Sequence, residues 1–156
     1  MDDISNVSKI TEPVQKRILA KIAAAHPEIN VSEAGHLHVP VDSLTAVMRD
    51  LKENFGFDYL SNVTAVDYLE YMNVVYDLCR VGTPYMLHII VRIDRENPVV
   101  PSMVPLWGGA LWQEREIYDL LGVIFTKHPD LRRILLDDTW EDHPLRRDYQ
   151  WMSGRD

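Results

Sequence analysis

The sequence predicts an α+β fold, with a mixed, mainly antiparallel sheet of about four strands and two to three helices on one face. Three observations predict it. Apolar residues recur at helical spacing in two early segments, three strand-like segments follow in the middle of the chain, and a third helical segment comes after them. The rest of the chain, residues 123 to 156, is predicted to be a long irregular tail.

Two amphipathic helices are predicted in the first third of the chain. The first covers residues 12 to 25, with Thr11 as its N-cap and Pro13 in its first turn. The second covers residues 44 to 51, where the apolar positions share one helical face. A short alternating segment, His36–Val39, precedes the second helix, so the two are expected to form a β-α unit.

Three consecutive strands are predicted to form an antiparallel meander, over residues 59 to 70, 73 to 81 and 85 to 93. The turns between them are predicted at Met72-Asn73 and at Gly82-Thr83-Pro84. Alternate residues of the third strand are apolar, which places His88 on the opposite face of the sheet. The chain is expected to leave the sheet at residues 97 to 102, because the prolines there cannot donate to a central ladder.

The third helix is predicted over residues 109 to 121 and ends at Gly122, because glycine readily adopts the left-handed conformation after a helix. This helix completes a predicted core domain, residues 1 to 122. Residues 123 to 156 are predicted to form an extended partner-binding segment within the same single domain. A chain cut after Gly122 is therefore expected to stay folded but to fail to assemble with its partner proteins.

Composition and charge exclude several functions. The chain of 156 residues has 16 Lys and Arg against 24 Asp and Glu, and its net charge of −8 argues against nucleic acid as a partner. The single cysteine, Cys79, provides no internal disulfide and no cysteine-based zinc or iron–sulfur site. No apolar run is long enough to span a bilayer and the acidic start is unlike a leader peptide, so we expect a reducing compartment such as the cytosol.

Glu114 is the most unusual charged residue of the third helix, because it projects from the apolar stripe. A carboxylate there must be paired or have a raised pKa. Its partner could be one of the chain's own arginines or a partner protein, and acid/base chemistry is a further possibility. We predict that it is ionised and held by Arg132 or Arg133. Arg115 and Asp119, four residues apart, are predicted to form an exposed ion pair.

Two His-Pro pairs, His128-Pro129 and His143-Pro144, stand close to several aspartates in the tail. Together with Glu114 they suggest an alternative function, a small metal-dependent hydrolase using Glu114, His128 and His143. The spacing favours turns or short helix caps instead, because metal ligands are usually closer together on rigid elements. The arginine doublets of the tail are predicted to bind carboxylates, either on the third helix or on a partner.

Three runs in the last third resemble a known family. They are WQEREIYDLLGVIF from Trp112, HPDLRRIL from His128 and HPLRRDY from His143. They closely resemble the C subunit, or 30 kDa subunit family, of proton-translocating NADH:quinone oxidoreductase, respiratory complex I. The related membrane-bound hydrogenase and F420H2 dehydrogenase complexes share the pattern. The segments Thr64–Tyr68 and Val100–Ser102 also look like this family.

The resemblance implies a cofactor-free structural and assembly subunit of the peripheral arm, without catalytic activity alone. It implies docking on the large quinone-site, hydrogenase-like subunit and contact with neighbouring iron–sulfur subunits. Iron–sulfur clusters, flavin and quinone are expected in those partner subunits, on the cytoplasmic side of an energy-conserving membrane. The residues predicted to bind partners belong to the three matching runs: Glu114, Arg115, Glu116, Asp119, His128, Pro129, Asp130, Arg132, Arg133, His143, Pro144, Arg146, Arg147, Asp148 and Tyr149.

Overall fold

The computed structural model describes residues 4 to 151, and their side chains from residue 13 onward. Within these residues the chain forms three helices: α1 (Ile4–Ala25), α2 (Leu44–Glu53) and α3 (Ala110–Leu121). It also forms seven strands: β1 (Asn30–Val31), β2 (Leu37–His38), β3 (Tyr59–Asp67), β4 (Tyr71–Cys79), β5 (Met86–Asp94), β6 (Val99–Pro101) and β7 (Ile124–Thr126). The order of these elements confirms the predicted α+β class.

Five strands form the main sheet, in the order β1-β2-β5-β4-β3. Strands β3, β4 and β5 pair antiparallel as the predicted meander, and β2 joins β5 in parallel. The sheet is therefore mixed and mainly antiparallel, as predicted. It has one strand more than expected, because the two-residue β1 pairs with β2.

One face of the meander forms the apolar core. The alternate residues Leu87, Ile89, Val91 and Ile93 of β5 are buried and lie opposite buried residues of β4. This confirms the alternation read from the sequence. His88 lies on the other face, as predicted, where its Nδ1 is 2.6 Å from an Asp77 carboxylate oxygen.

The hairpin between β3 and β4 turns earlier than predicted. Met72 and Asn73 lie inside β4, so the turn predicted for them is wrong. The chain reverses instead around Leu69, whose φ is +73°, and the Tyr68 N–H donates to the Tyr71 carbonyl over 2.9 Å. The Asp67 carboxylate accepts the Leu69 N–H over 2.9 Å, a side-chain turn that competes with strand formation.

Helix α1 begins at Ile4, well before the predicted start at residue 12. Pro13 therefore lies inside the helix, and Thr11 is a helical residue instead of an N-cap. Apolar residues at positions 4, 7 and 10 extend the helical spacing toward the N-terminus. The acidic start, residues 1 to 3, lies outside the described residues.

The chain leaves the main sheet near residue 97, as predicted, and then forms a second sheet. Strand β6 pairs in parallel with β7, which follows α3. Strand β7 lies within the stretch predicted to be an extended partner-binding segment, so that stretch begins with regular structure. Val123 and Phe125 are buried in the core, and the packed core therefore continues to about Thr126. The described part of the chain has no helix long and apolar enough to cross a membrane.

Candidate functional site

The residues that follow β7, which we call the C-terminal segment, lie along helix α3. The carboxylate of Asp119 on α3 binds them through several hydrogen bonds. The Asp119 side chain is fully buried. One carboxylate oxygen accepts a hydrogen bond from Arg133 Nη1 over 2.7 Å. The other accepts three backbone N–H groups, from residues 134, 135 and 136, over 3.0, 2.7 and 3.0 Å. One helical carboxylate thus fixes four consecutive residues of the C-terminal segment.

These donors decide the charge of Asp119. Burial acts against the carboxylate and is the largest single effect on it, but the three backbone N–H groups and Arg133 together outweigh burial. The pKa of Asp119 is lowered to about 2. The side chain is therefore ionised at neutral pH, as a buried charge with enough donors can be.

Arg115 binds the same segment one turn earlier along α3. Its guanidinium donates to the backbone carbonyls of Arg132 and Arg133, over 3.1 and 2.9 Å. It also lies 3.5 Å from a carboxylate oxygen of Asp130 and 5.2 Å from the centre of the Trp112 ring. Arg115 is only 4% exposed although it carries a full charge, because the segment covers it.

The exposed ion pair predicted between Arg115 and Asp119 is therefore wrong. Both side chains are buried, and each binds the C-terminal segment. The spacing rule for residues four apart applies to a helix face in water. Here the segment covers that face and supplies better partners, carbonyls for Arg115 and donors for Asp119.

The segment also caps the C-terminal end of α3. The last carbonyls of a helix have no partner within the helix. The Asp119 carbonyl accepts from His143 Nδ1 over 3.0 Å and the Leu121 carbonyl accepts from Arg146 Nε over 2.8 Å. The Leu120 carbonyl accepts the Leu145 N–H over 3.0 Å. A cation such as Arg146 is also favourable at this negative end of the helix dipole.

Gly122 allows this close approach. It ends α3 with a φ of +76°, as predicted for a glycine after a helix. A Cβ atom at this position would lie 2.6 Å from Cδ2 of His143 and 3.0 Å from Nη2 of Arg146. The glycine is thus required both by its backbone conformation and by the side chains that pack on it.

A second buried charge network holds the end of the segment. Arg95 donates to both carboxylate oxygens of Asp67, over 2.8 and 3.0 Å, and to Asp148 over 2.5 Å. Asp67 also accepts the backbone N–H of Arg147 over 3.0 Å. Hydrogen bonds from Arg95 hold the pKa of Asp67 well below its usual range, although burial opposes this. The sheet and the segment are therefore joined through Arg95 and Asp67.

Asp67 and Arg95 were not among the predicted site residues. Asp67 belongs to the run Thr64–Tyr68, whose resemblance to the family was a usable signal. Arg95 follows the last strand of the meander with no motif around it. Its partners lie 28 and 53 residues away, so a local pattern does not reveal them.

Glu114 is fully buried, as its place on the apolar stripe predicted. Its oxygens accept from Ser102 Oγ and from the Met103 N–H, each over 2.6 Å. No arginine binds it among the described residues, so the prediction of an Arg132 or Arg133 partner is wrong. Arg133 binds Asp119, and Arg132 is an exposed residue that pairs with Asp130 over 2.9 Å.

The surroundings of Glu114 favour its protonated form. Burial raises its pKa to about 7, against the opposing effect of the two hydrogen bonds. The Tyr76 hydroxyl is buried and has no hydrogen-bond partner in the described part of the chain. Burial and the nearby charge of Glu114 both raise the pKa of this tyrosine. Ser102 was noted only as part of the family-like run Val100–Ser102.

The hydrolase alternative required Glu114, His128 and His143 to act together. Nε2 of His128 lies 3.9 Å from Glu114 and donates to the Leu111 carbonyl over 3.0 Å. His143 instead binds the Asp119 carbonyl, about 7.5 Å farther along the helix axis by the helical rise. Among the described residues, no three His, Cys, Asp or Glu side chains are placed to hold one metal ion. The alternative is therefore not supported.

The predicted partner-binding residues fall into two groups. The side chains of Glu114, Arg115, Asp119 and His128 are buried and act within the chain. Arg133, His143, Pro144, Arg146 and Tyr149 are half-buried. A further set is exposed: Glu116, Pro129, Asp130, Arg132, Arg147 and Asp148. Large apolar side chains are exposed beside them: Trp112, Ile134, Leu135, Leu145 and Trp151.

The chain is similar to known proteins in sequence and in fold. A family model for the 30 kDa subunit of respiratory-chain NADH dehydrogenase matches residues 37–154. The C subunit of the NADH-quinone oxidoreductase of Moorella thermoacetica is 45% identical over 132 residues, 81% of this chain and 89% of that protein. The C subunit of the Trichlorobacter lovleyi enzyme is 44% identical over 115 residues, 71% of each chain.

Two solved structures share the fold. The trypsin-resistant fragment (1-134) of Nqo5 is 30% identical, with a TM-score of 0.63, and the match covers 74% of this chain and 98% of the fragment. A chain of the membrane-bound sulfane sulfur reductase, an archaeal respiratory membrane complex, has a TM-score of 0.77 at 23% identity, which is a likeness of fold. It covers 86% of this chain and 85% of that one. The resemblance seen in the sequence is confirmed, and the chain belongs to the 30 kDa subunit family of respiratory-chain NADH dehydrogenase, as a subunit of a complex I-type NADH-quinone oxidoreductase.

Proposed function

We propose that the chain is a structural and assembly subunit of the peripheral arm, and that it docks on the large quinone-site subunit through its C-terminal segment. It holds no cofactor and has no catalytic activity alone. Iron–sulfur clusters, flavin and quinone belong to partner subunits, with iron–sulfur subunits as neighbours. The assembly lies on the cytoplasmic side of an energy-conserving membrane.

The observation that carries this proposal is the use of buried charges to fix an otherwise irregular segment. Asp119 and Arg115 between them bind the backbone of residues 132 to 136. Holding an irregular segment in one conformation reduces the entropy lost when a partner binds it. The segment is therefore preorganised, which suits a docking surface.

The exposed side chains of this segment and of the adjoining helix α3 have the composition of an interface. We define the outer face as Trp112, Arg132, Ile134 and Leu135. Trp112 and Leu135 are 60% and 62% exposed. Exposed apolar groups next to arginines are typical of protein contact sites, where tryptophan and arginine are enriched. A charged or polar ligand would not explain the exposed leucine and isoleucine.

The names of similar proteins support the same role. The relatives at 45% and 44% identity are named as subunits of an oxidoreductase, and the sulfane sulfur reductase is described as a respiratory membrane complex. The Nqo5 fragment is described as trypsin-resistant and matches 74% of this chain.

The docking proposal is tested with Leu135→Arg, which changes the outer face but leaves the backbone bond from Leu135 to Asp119. The matched control is Val81→Arg, because Val81 is 68% exposed in the hairpin between β4 and β5. Both variants should unfold like the wild type. We expect Leu135→Arg to lower the amount of assembled complex about tenfold or more, as for a central interface residue, while Val81→Arg assembles normally. Equal assembly of the two variants would overturn the docking proposal.

A further inference from the structure

Strand β3 is an edge strand of the main sheet, and no strand pairs with its outer edge in the described part of the chain. The N–H of Tyr68 donates to Tyr71 and closes the hairpin with β4. Hydrogen-bonding directions alternate along an antiparallel strand. Residues 64 and 66 therefore bond toward β4, and the backbone groups of residues 63, 65 and 67 point outward.

The first half of this edge is protected within the chain. The register of β3 and β4 shifts between Leu60 and Asn62, a bulge that interrupts the edge. The outward N–H of Val63 donates to Oε1 of Gln113 over 2.6 Å, so a side chain of α3 occupies that position. Bulges and covering side chains are common protections of edge strands.

The second half has none of these protections. The outward backbone groups of Ala65 and Asp67 have no hydrogen-bond partner in the described part of the chain. Ala65 is half-buried and Asp67 is only 4% exposed, so an added strand would have to reach these groups through the groove that the two residues line. Residues 63 to 67 read Val-Thr-Ala-Val-Asp, without the lysine or proline that would discourage pairing. The one charge, Asp67, points inward and is neutralised by Arg95.

Ala65 and Asp67 line an apolar groove. It has a volume of about 370 Å³ and lies between the end of β3 and the residues Leu121 and Leu145. Leu145 is 59% exposed, but its N–H is bound to the Leu120 carbonyl. Asp67 is held by Arg95 and by the Arg147 N–H, so both walls of the groove are fixed.

The positive charge of Arg147 at the rim of the groove indicates what kind of partner would bind there. Arg147 lines the groove, is exposed, and has no side-chain partner within the described residues. A free guanidinium beside an apolar groove fits a carboxylate next to an apolar side chain. We propose that β3 receives an extended strand from a partner polypeptide of the complex, which pairs with Ala65 and Asp67. An apolar side chain of that strand fills the groove between Leu121 and Leu145, and an acidic side chain binds Arg147.

Strand addition of this kind gives affinity through backbone hydrogen bonds and specificity through side-chain pockets. It uses a different surface from the outer face that carries Trp112 and Leu135. The two proposals can therefore fail separately, because Leu135→Arg and the variants below change different contacts.

The direct test is hydrogen exchange of single backbone amides in the isolated full chain and in the complex purified from native membranes. Ala65 and Asp67 should exchange at least about a hundredfold more slowly in the complex, whereas Thr64 and Val66 should be protected in both states. Unchanged exchange at Ala65 and Asp67 would overturn the proposal. Slow exchange of Ala65 and Asp67 already in the isolated chain would also overturn the proposal. If removing residues 152 to 156 abolished that slow exchange, the chain's own terminus would be the occupant. If the slow exchange depended on protein concentration, the occupant would be a second copy of the chain.

Variants test the same contact without exchange data. Ala65→Pro removes the outward N–H of residue 65 but leaves all hydrogen bonds between β3 and β4 in place. Proline is tolerated at such edge positions. Ala65→Val is the matched control, because it adds similar volume and keeps the N–H. Ala65→Pro should weaken retention of the chain in the complex about tenfold relative to Ala65→Val. Arg147→Glu should do the same relative to Arg147→Lys. If each pair of variants is retained equally, the strand-addition proposal is wrong.

Discussion

Asp119 and Arg133 are joined by two hydrogen bonds from one guanidinium nitrogen, over 2.7 Å to the carboxylate and 2.9 Å to the backbone carbonyl of Asp119. The other terminal nitrogen of Arg133 donates to the Asp142 carbonyl over 3.1 Å. Arg133 thus links helix α3 to two places in the C-terminal segment. The buried pair of Asp119 and Arg133 fixes the conformation of the segment. Its contribution to the free energy of unfolding should therefore depend on pH.

The Asp119 carboxylate should contribute to stability in a pH-dependent way. Its pKa is about 2 in the folded chain, against an ordinary value of 3.8. The contribution is therefore fully present above about pH 4 and lost as the pH falls toward 2, with a total of about 2 kcal/mol. Asp119→Asn should lose this part of the acid dependence, measured by urea unfolding between pH 5 and pH 2. The control is Asp138→Asn at an exposed position, and an acid profile of Asp119→Asn that matches this control would contradict the account.

Glu114 should give the free energy of unfolding the opposite dependence on pH. Its pKa is about 7 in the folded chain and 4.5 ordinarily, so between these values the folded chain keeps a proton that the unfolded chain loses. The free energy of unfolding should fall as the pH rises through this interval, by roughly 3 kcal/mol in total. Glu114→Gln should remove this fall and be more stable than wild type at pH 8, because the amide resembles the protonated acid. The check is urea unfolding at pH 5 and pH 8, with exposed Glu116→Gln as control. A variant with the same pH slope as Glu116→Gln would count against a raised pKa.

Gly122→Ala should loosen the cap at the end of α3. The φ of +76° is strained for alanine, and the added Cβ would lie 2.6 Å from the His143 ring. We expect a loss of about 1 to 3 kcal/mol in the free energy of unfolding, together with faster hydrogen exchange at Leu145. Gly108→Ala is the control, because a Cβ at Gly108 meets nothing within 4 Å. The account is wrong at this position if the two variants are equally stable.

Two truncated chains, cut after Gly122 and after Thr126, should show that the folded core ends near Thr126. A chain cut after Gly122 lacks the buried residues Val123 and Phe125 and the strand that pairs with β6. We now expect this chain to lose its cooperative unfolding transition, contrary to the expectation drawn from the sequence. A chain cut after Thr126 should unfold cooperatively but with lower stability, because Arg115 and Asp119 lose their partners. Thermal unfolding of both chains is the measurement, and cooperative unfolding of the shorter one would restore the original boundary.

Local patterns predicted the regular part of the fold. Helix α3 and its end at Gly122 follow from apolar spacing and one glycine, and strand β5 follows from alternation over nine residues. The hairpin at Leu69 was misplaced because Asp67 bonds the turn and also Arg95, a residue 28 positions away. Strand β1 was not expected, whereas the equally short β2 lies within the predicted alternating segment His36–Val39.

The residues predicted to bind a partner include several that bind the C-terminal segment of the same chain, and binding of a partner stays a prediction. Motif resemblance selected Arg115, Asp119 and Arg133, which do hold the segment. Their pairing was misassigned because the rule for residues four apart on a helix takes no account of a segment that covers the helix. Glu114 was recognised as buried, whereas its partner Ser102 lies on the other side of a turn and has no helical relationship to it.

We propose that this chain shapes and joins the complex and takes no part in its chemistry. The most direct measurement is the NADH:quinone turnover of complexes carrying Glu114→Gln, divided by the amount of correctly assembled complex. Glu114 is the residue best suited to proton transfer, because it is buried with a pKa of about 7. The account predicts turnover per assembled complex near that of wild type, whatever the effect on assembly. A fully assembled complex slowed about a hundredfold, the size expected for loss of a general acid or base, would contradict it.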